Sequence, residues 1–229
     1  MIRAVLFDLD NTLTDFMKMK EVAIAAAVDG MVDMGLKLPA DEARRRIYAI
    51  YDREGIEHQR VFDLFLKDVY GSVPPGLLAA GIVHYRRARD SSLVAYPHVG
   101  LTLMELLRRG LRLAVLSDAP ALQAWQRLHQ LGLQHVFKSV ITFDDTGERK
   151  PSPRPFRHAL EQLALPAAEV LMVGDWPERD MIGAKGVGMP TVFARYGDTF
   201  GTTESGADFD VDDIVELLPI LDRLNGGVG

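Results

Sequence analysis

Residues 2–14 read IRAVLFDLDNTLT, a short apolar run that ends at two aspartates, Asp8 and Asp10. The run from Ile2 to Phe7 has the composition of a strand that is buried on both faces of a parallel sheet. In an open parallel sheet, ligands bind beyond the carboxyl ends of the strands. Asp8 and Asp10 are two residues apart, so an extended chain places both carboxylates on one side of the strand end. Because aspartate is also common in turns, the other strand ends decide between a site and a turn.

Further apolar runs along the chain predict four more parallel strands, and amphipathic stretches predict helices between them. The predicted strands are Leu113 to Leu116, Ser139 to Thr142, Val170 to Val173 and Thr191 to Ala194. The predicted helices are Ala121 to Leu131, Pro155 to Leu163, Glu178 to Lys185 and Val211 to Leu224, and residues 225–229 are expected to fray. Strands that alternate with helices indicate an α/β fold with a doubly wound parallel sheet.

About a hundred residues separate the first two predicted strands, far more than one crossover helix needs. Apolar residues recur there at helical spacing, which predicts a small bundle of four helices. Their predicted bounds are Met17 to Met34, Ala40 to Arg53, Gln59 to Val69 and Pro75 to Arg89, and a further helix ends near Arg109. The predicted domains are a core of residues 1–15 and 96–229 and a helical domain of residues 16–95.

The composition excludes several functional classes. A net charge of −6 and a pI of about 5.5 provide no electrostatic surface for nucleic acid or an anionic membrane. The absence of cysteine removes disulfides, thiolate nucleophiles and zinc sites built on sulfur. The first apolar run is too short for a secretory signal, and no charge-free run approaches the roughly 20 residues of a membrane span. We therefore expect a cytoplasmic protein.

Polar residues follow three further predicted strands. Ser117 and Asp118 come just before a helix, where a hydroxyl and backbone N–H groups suit an anion, although serine is also a common helix cap. Lys150 stands between a loop and two prolines, which fixes the direction of its ammonium group. Asp175 and Asp180 flank the start of another helix. Capping explains one such carboxylate but not the whole pattern.

A metal site follows if the carboxylates of the first and fourth strand ends converge. Each pair of charges about 4 Å apart would repel by roughly 1 to 4 kcal/mol, depending on the dielectric. A cation would relieve this repulsion, and a set of oxygen ligands favours a hard ion, magnesium before zinc or copper. The candidate metal residues are Asp8, Asp10 through its backbone carbonyl, Asp175 and Asp180, of which Asp180 would orient a bound water or Lys150.

These residues predict hydrolysis of a phosphate ester. Asp8 would attack phosphorus and form an aspartyl phosphate, which replaces one difficult displacement by two easier ones. Ser117 and Lys150, with Asp118 beside them, would bind the phosphate and hold the charge on its non-bridging oxygens. Asp10 would protonate the departing alcohol and then take a proton from the water that releases phosphate.

The motifs resemble those of the haloacid dehalogenase-like (HAD) hydrolase superfamily, which fall at the ends of four strands in this order. The matching segments are residues 8–12 (DLDNT), Ser117, Lys150-Pro151, and Gly174-Asp175 with Asp180. The resemblance covers residues 2–195 and implies a Rossmann-like core with strand order 3-2-1-4-5. The long helical insertion is similar to the C1 cap of subfamily I members, which closes over the active site and admits small phosphorylated metabolites.

Two positions depart from the pattern of this superfamily. Asp118 and Arg179 stand where its members often have asparagine, so the charge near the phosphate differs. An anionic substrate would also need cations or hydrogen-bond donors from the cap. The candidates for such contacts are Lys18, Lys20, His58 and Arg60.

Other activities use similar residues. A 2-haloacid dehalogenase also begins with an aspartate nucleophile, but it needs no acid for a halide and therefore does not require Asp10. A phosphomutase would differ in needing a bisphosphate activator. A signalling receiver domain also forms a phosphoaspartate, but its phosphorylated aspartate follows the third strand, and a catalytically silent binding protein on the same scaffold is a further alternative. The substrate, whether a sugar phosphate, phosphoglycolate, glyceraldehyde 3-phosphate or a nucleotide, and the choice between monomer and homodimer stay open.

Overall fold

The computed structural model of the chain describes residues 1–226, which contain one parallel sheet in the order β3-β2-β1-β4-β5-β6. The strands are β1 (Ala4–Phe7), β2 (Arg112–Leu116), β3 (Ser139–Ile141), β4 (Val170–Gly174), β5 (Thr191–Ala194) and β6 (Phe209–Val211). The predicted α/β class, with a Rossmann-like doubly wound parallel sheet and the strand order 3-2-1-4-5, is confirmed. The five predicted strands begin and end within two residues of their expected bounds.

The sixth strand corrects the prediction for the end of the chain. Val211, predicted to start a helix, is the last residue of β6, which pairs in parallel with β5. The final helix begins only at Leu217, after a single 3₁₀ turn in which the side chain of Asp213 accepts the Val215 N–H at 3.0 Å. A strand of three residues is too short to show a period of its own, so the helical pattern of the following residues was extended over it.

The chain divides into two compact units, Met1–Asp15 together with the described residues from Val94 onward, and Phe16–Leu93. The first unit contains the sheet and six helices. These are α5 (Val99–Arg108), α6 (Ala121–Gln130), α7 (Phe143–Thr146), α8 (Pro153–Leu163), α9 (Ile182–Gly186) and α10 (Leu217–Leu224). The second unit, called the helical unit below, contains α1 (Phe16–Asp33), α2 (Ala40–Glu54), α3 (Val61–Tyr70) and α4 (Pro75–Ser92).

Both faces of the sheet are covered by helices, as the continuous apolar strands require. Alternate residues of β1 enter different cores: Val5 and Phe7 belong to one cluster, while Ala4 and Leu6 belong to the other. Residues of α5, α6 and α10 complete the first cluster, and residues of α8 and α9 complete the second. Burial on both faces leaves the strand ends as the places where polar side chains emerge.

The helical unit has its own apolar core. Its buried residues include Ile24, Met31, Ile47, Phe65 and Leu66. Helices α1 and α4 pack most extensively within the unit. In the described part of the chain, no helix is both long enough and apolar enough to cross a bilayer.

The expected fraying of residues 225–229 is wrong at its first residue. The side chain of Asn225 accepts the Ile2 N–H at 2.5 Å, and its amide donates to the Ile2 carbonyl at 3.1 Å. These two bonds fix the end of α10 beside the start of the chain. The prediction also covers residues 227–229, which lie outside the described part of the chain.

Candidate active site

The loop after β1 turns sharply at Asn11. The Asp8 N–H still bonds to the Val173 carbonyl at 2.9 Å, so the sheet positions Asp8 directly. Asn11 has a φ of 58°, in the left-handed region that asparagine tolerates better than most residues. Gly197 passes so close that an added Cβ would lie 1.6 Å from the Asn11 carbonyl oxygen. Only glycine fits there, and the turn after Asp8 depends on that close approach.

Lys150 joins the ends of β1 and β4. Its Nζ lies 2.5 Å from Asp8 Oδ1 and 2.6 Å from Asp180 Oδ1, and its side chain is 3% exposed. Burial alone would lower the pKa of Lys150, but the carboxylates of Asp180 and Asp8 outweigh burial and raise it. The ammonium group is therefore a fixed positive charge between two carboxylates.

Three buried carboxylates, those of Asp8, Asp175 and Asp180, each offer an oxygen atom within 4.8 Å of the others. Burial, assisted by the neighbouring carboxylates, raises the pKa of Asp8 well above its usual range against the opposing effect of Lys150. Burial and the charge of Asp180 raise the pKa of Asp175 to about 7. This group of three carboxylates can hold a divalent cation, which would offset the repulsion that a single lysine leaves.

Asp180 reaches this group because Gly174 makes room for it. An added Cβ at Gly174 would lie 2.4 Å from the Asp180 carboxyl group. Asp180 lies in a turn of π-helix, Pro177–Met181, and its Oδ2 accepts the Trp176 N–H at 3.0 Å. Single π-helical turns are rare and occur frequently at functional sites. Here the turn directs Asp180 back toward β4.

Ser117 follows β2 directly. Its N–H bonds to the Ile141 carbonyl at 2.9 Å, its side chain is buried, and its Oγ accepts the Ala119 N–H at 3.2 Å. Since α6 begins at Ala121 and its N-cap residue is Pro120, Ser117 is not a helix cap. The hydroxyl instead organises the loop at the sheet edge.

The two predicted departures, Asp118 and Arg179, pair with each other. Asp118 Oδ2 accepts from Arg179 Nη1 at 3.0 Å, and Asp118 Oδ1 accepts the Lys150 N–H at 2.9 Å. The Arg179 guanidinium also lies 3.7 Å above the Trp176 ring, a cation–π arrangement. The charge of Asp118 is thereby compensated locally, and the loops after β2, β3 and β4 are tied together.

Asp10 has a different environment from Asp8. Its Oδ2 accepts from Arg127 Nη1 at 2.7 Å, and the Arg127 side chain on α6 is 8% exposed. Of the four carboxylates predicted to gather around a metal, the side chain of Asp10 is the one outside the group formed by Asp8, Asp175 and Asp180. The sequence assigned Asp10 to the metal through its backbone carbonyl, and its carboxylate was expected to act on protons.

A family model of haloacid dehalogenase-like hydrolases matches residues 2–188, which is most of the chain. This chain belongs to that family. The match covers Asp8, Lys150 and Asp175, which the fold gathers at one sheet edge, and the predicted superfamily is confirmed.

The relatives of this HAD-like hydrolase include phosphatases that match it over nearly its whole length. It is 34% identical over 227 residues to the glyceraldehyde 3-phosphate phosphatase of Methanocaldococcus jannaschii, covering 98% of this chain and 99% of the relative. It is 35% identical over 202 residues to the phosphoglycolate phosphatase of Neisseria gonorrhoeae, covering 86% of this chain and 81% of the relative. The predicted enzyme class, a HAD-type phosphatase, is confirmed.

A solved structure of another HAD phosphatase has a similar fold. The crystal structure of a HAD phosphatase from Thermococcus onnurineus superposes with a TM-score of 0.73 at 27% identity, covering 96% of this chain and 98% of the other. The fold of the HAD-like hydrolase is therefore that of its family.

The candidate substrate residues of the helical unit have different surroundings within that unit. Lys18 pairs with Glu21 at 3.0 Å, and Arg60 pairs with Asp63 at 2.9 Å; both cations are largely exposed. Lys20 is buried, with its Nζ 3.3 Å from the Tyr51 hydroxyl. That ammonium also lies 4.3, 5.5 and 5.8 Å from the ring centroids of Tyr51, Tyr85 and Phe16, respectively.

His58 is the fourth candidate. Its side chain is half-buried, and its Nε2 is buried without a hydrogen-bond partner among residues 1–226. An imidazole nitrogen in that position is suited to a ligand atom that supplies the missing bond.

The sequence missed two residues of the HAD-like hydrolase that contact the site. Thr12 is fully buried and donates from Oγ1 to Asp175 Oδ1 at 3.1 Å. Arg127 contacts Asp10 across 117 positions of the chain. Thr12 belongs to the first motif, but the sequence predicts no role for it. Arg127 carried one usable signal, a cation on the helix face that otherwise buries Ala124 and Leu128.

Proposed function

We propose that this HAD-like hydrolase is a magnesium-dependent phosphatase of small phosphorylated metabolites, with Asp8 as the nucleophile. The observation that carries the proposal is the convergence of Asp8, Asp175 and Asp180 around the ammonium of Lys150. A structural role would be better served by apolar residues, since buried charges are costly unless they are well paired. This arrangement concentrates charge where a phosphoryl group would enter.

In the first half of the reaction, an Asp8 oxygen forms a bond to phosphorus while the bond from phosphorus to the ester oxygen breaks. Lys150 and Ser117 donate to the non-bridging oxygens of the phosphoryl group. The contact between the Lys150 ammonium and an oxygen of Asp8 supports this role for Lys150. Asp118 and Asp180 act on the position of Lys150, one through its backbone N–H and the other through Nζ.

Asp10 acts as the general acid and the general base. It protonates the departing ester oxygen in the first half, and as a carboxylate it takes a proton from water in the second half, when phosphate leaves Asp8. Its separation from the group formed by Asp8, Asp175 and Asp180 suits this role, because a carboxylate that coordinates a metal ion would be a poor proton carrier.

The proposed magnesium ligands are the side chains of Asp8 and Asp175 and the backbone carbonyl of Asp10. Asp180 holds Lys150 through its carboxylate and would orient a water on the bound ion, while Thr12 holds Asp175 in place through its hydroxyl. Bound magnesium would neutralise charge on the phosphoryl oxygens and on the nucleophile. The donor set is made of oxygen atoms alone, which is the preference of this ion.

We further propose that residues 16–95 form a cap domain that selects the substrate. Phosphorylated three-carbon and two-carbon compounds are the first candidates, since relatives of more than 30% identity are named glyceraldehyde 3-phosphate phosphatase and phosphoglycolate phosphatase. Lys20 and His58 are the favoured substrate contacts. Arg60 is less favoured, because its charge is paired with Asp63. We propose a cytoplasmic location, and a monomer or a homodimer.

Phosphate release tests the proposal directly. We expect the purified protein to hydrolyse p-nitrophenyl phosphate and glyceraldehyde 3-phosphate in magnesium buffer, and Asp8→Asn to lose at least about a thousandfold in rate with its fold retained in thermal unfolding. Arg108→Ala, which removes a cation of α5 that is 79% exposed and paired with Glu105, serves as the control. Full activity of Asp8→Asn, or release of halide from a 2-haloacid without phosphatase activity, would refute the proposal.

A further inference from the structure

Arg127 is a buried cation that the proposed reaction does not yet use. Helix α6 buries Ala124, Arg127 and Leu128, of which two are apolar and pack in the core beside β2. Removing a guanidinium from water costs several kcal/mol unless it is well paired. Its Nη1 lies 2.7 Å from Asp10 Oδ2, the distance of a strong charge-assisted bond.

We infer that Arg127 is a positioning residue for Asp10 and fixes the direction in which this carboxyl group delivers its proton. This inference rests on the proposed role of Asp10 as general acid and base. The guanidinium that holds Oδ2 at 2.7 Å restrains the rotation of the carboxyl group and thereby the direction of Oδ1. Asp10 itself is on a loop and is 21% exposed, so its backbone alone does not determine that direction.

Orientation of this kind affects the rate because proton transfer depends steeply on geometry. A positioned general acid contributes about 10² to 10⁴ to the rate, and a misplacement of about 1 Å can cost about 100-fold. The effect must depend on the leaving group. An alkoxide needs a proton as the bond from phosphorus to oxygen breaks, whereas p-nitrophenolate leaves without one.

The discriminating experiment measures kcat/KM of the wild type, Arg127→Gln and Arg127→Lys, each with two phosphate esters. The alkyl ester is glyceraldehyde 3-phosphate or phosphoglycolate, whichever the wild type hydrolyses, and the aryl ester is p-nitrophenyl phosphate. Because kcat/KM reports the steps up to the first bond cleavage, it isolates the protonation of the leaving group from the later hydrolysis of the aspartyl phosphate. The ratio of the two values is independent of the folded fraction, so partial misfolding of a variant does not affect it.

We expect Arg127→Gln to lower kcat/KM for the alkyl ester by about 10-fold to 100-fold and that for the aryl ester by less than about threefold. Arg127→Lys should recover part of the difference, since it restores the charge without the planar fork. In an Asp10→Asn background, Arg127→Gln should produce no further change in the ratio, because the group it positions is gone. Arg108→Ala should leave both values unchanged.

Equal losses for both esters, or no loss for either, would overturn the inference and assign Arg127 a purely structural role. A full change of the ratio in the Asp10→Asn background would overturn it as well. These results differ from failure of the proposed function, which would appear as a wild type that hydrolyses neither ester.

Discussion

The charges at the strand ends and those on the helical unit are paired in opposite ways. Lys150 contacts Asp8 across 142 positions of the chain, and its side chain is 3% exposed. In the helical unit, Lys18 pairs with Glu21 three positions away, and both side chains are more than 60% exposed. Exposed pairs at this spacing contribute about 0.3 to 0.5 kcal/mol.

This difference separates charges that are built into a site from charges that keep a surface solvated. A buried pair from distant segments pays a desolvation cost that only a specific arrangement of groups can offset. An exposed pair on one helix needs no such arrangement. We therefore expect substitutions at the strand ends to alter chemistry and metal binding, and matched substitutions on the exposed helix surfaces to alter neither.

Metal removal should produce the largest effect. Chelation with EDTA is expected to abolish phosphatase activity, and magnesium to restore it, because the carboxylates of Asp8, Asp175 and Asp180 repel one another and the phosphate. At a concentration of 100 times its Kd, magnesium should add about 2.7 kcal/mol to the free energy of unfolding, measured by denaturant titration.

Asp175→Asn provides the matched variant for this experiment. It should lose both the activity and the magnesium-dependent stabilisation, whereas Glu21→Gln on the helical unit should lose neither. A wild type that remains fully active after chelation, or an Asp175→Asn variant with the same magnesium response, would break the distinction between the two regions.

The pair formed by Asp118 and Arg179 should have the next largest effect. Asp118→Asn keeps an oxygen acceptor for the Lys150 N–H but removes the charge that binds Arg179. We expect each of Asp118→Asn and Arg179→Asn to lower kcat by about 3-fold to 30-fold. The double variant should lose less than the sum, with a coupling energy of about 1 kcal/mol in a double-mutant cycle on kcat. Additive losses would show that the two side chains act independently.

The lysines of the helical unit allow a closer comparison, since Lys18 and Lys20 are neighbours on one helix. Lys20→Met removes a buried ammonium from the rings of Tyr51 and Tyr85, contacts worth about 0.5 to 2 kcal/mol. We expect it to destabilise the protein by that amount. Because Lys20 is a proposed substrate contact, we also expect it to raise KM for the alkyl phosphate about 10-fold, the loss of one charged hydrogen bond. Lys18→Met should change stability by less than about 0.5 kcal/mol and leave KM unchanged.

Substrate titrations and thermal unfolding of both variants give these values. An increase of KM in Lys18→Met and none in Lys20→Met would reverse the assignment. Arg60→Gln, whose partner Asp63 is three positions away, should behave like Lys18→Met.

The strand ends could be predicted from the sequence because each polar motif follows an apolar run, and parallel strands deliver their carboxyl ends to one edge. Asp8, Lys150 and Asp175, which the structure brings to one sheet edge, were predicted in this way, and so was the position of Ser117 directly after β2. The superfamily pattern supplied the strand order. The contact of Arg127 with Asp10 could not be found, since two side chains that meet across 117 positions leave no spacing in the sequence.

Prediction from charge alone was less informative for the helical unit. Lys18, Lys20 and Arg60 are all cations, and the sequence does not distinguish their environments. In the structure, Lys20 is buried among aromatic rings, whereas Lys18 and Arg60 are paired on exposed surfaces. The short strand β6 was hidden for another reason, because three residues carry too little periodicity to compete with the helix that follows.

The smallest expected effect concerns Asp208, whose exposure lies between that of the buried charges at the strand ends and that of the exposed pairs on the helical unit. Its Oδ2 accepts from the N–H and the hydroxyl of Thr191, each at 2.8 Å, and its Oδ1 accepts from Lys185 at 2.9 Å. Partial burial would raise the pKa of Asp208, but the bonds from Lys185 and Thr191 outweigh it and lower the pKa. The side chain is 42% exposed, so solvent screening limits the gain to about 1 kcal/mol or less.

A group with a lowered pKa stabilises the fold above its unfolded pKa, about 3.9 for aspartate, and this contribution disappears as the pH falls through the folded value. Asp208→Asn should therefore be less stable than wild type by about 1 kcal/mol at pH 6, and the difference should shrink on acidification below pH 4. Urea unfolding at a series of pH values measures it. A difference that stays constant or grows toward acid would mean that the carboxylate stabilises β5 by its shape and hydrogen bonds alone, without its charge. Asp208 would then resemble neither the buried charges of the strand ends nor the exposed pairs of the helical unit.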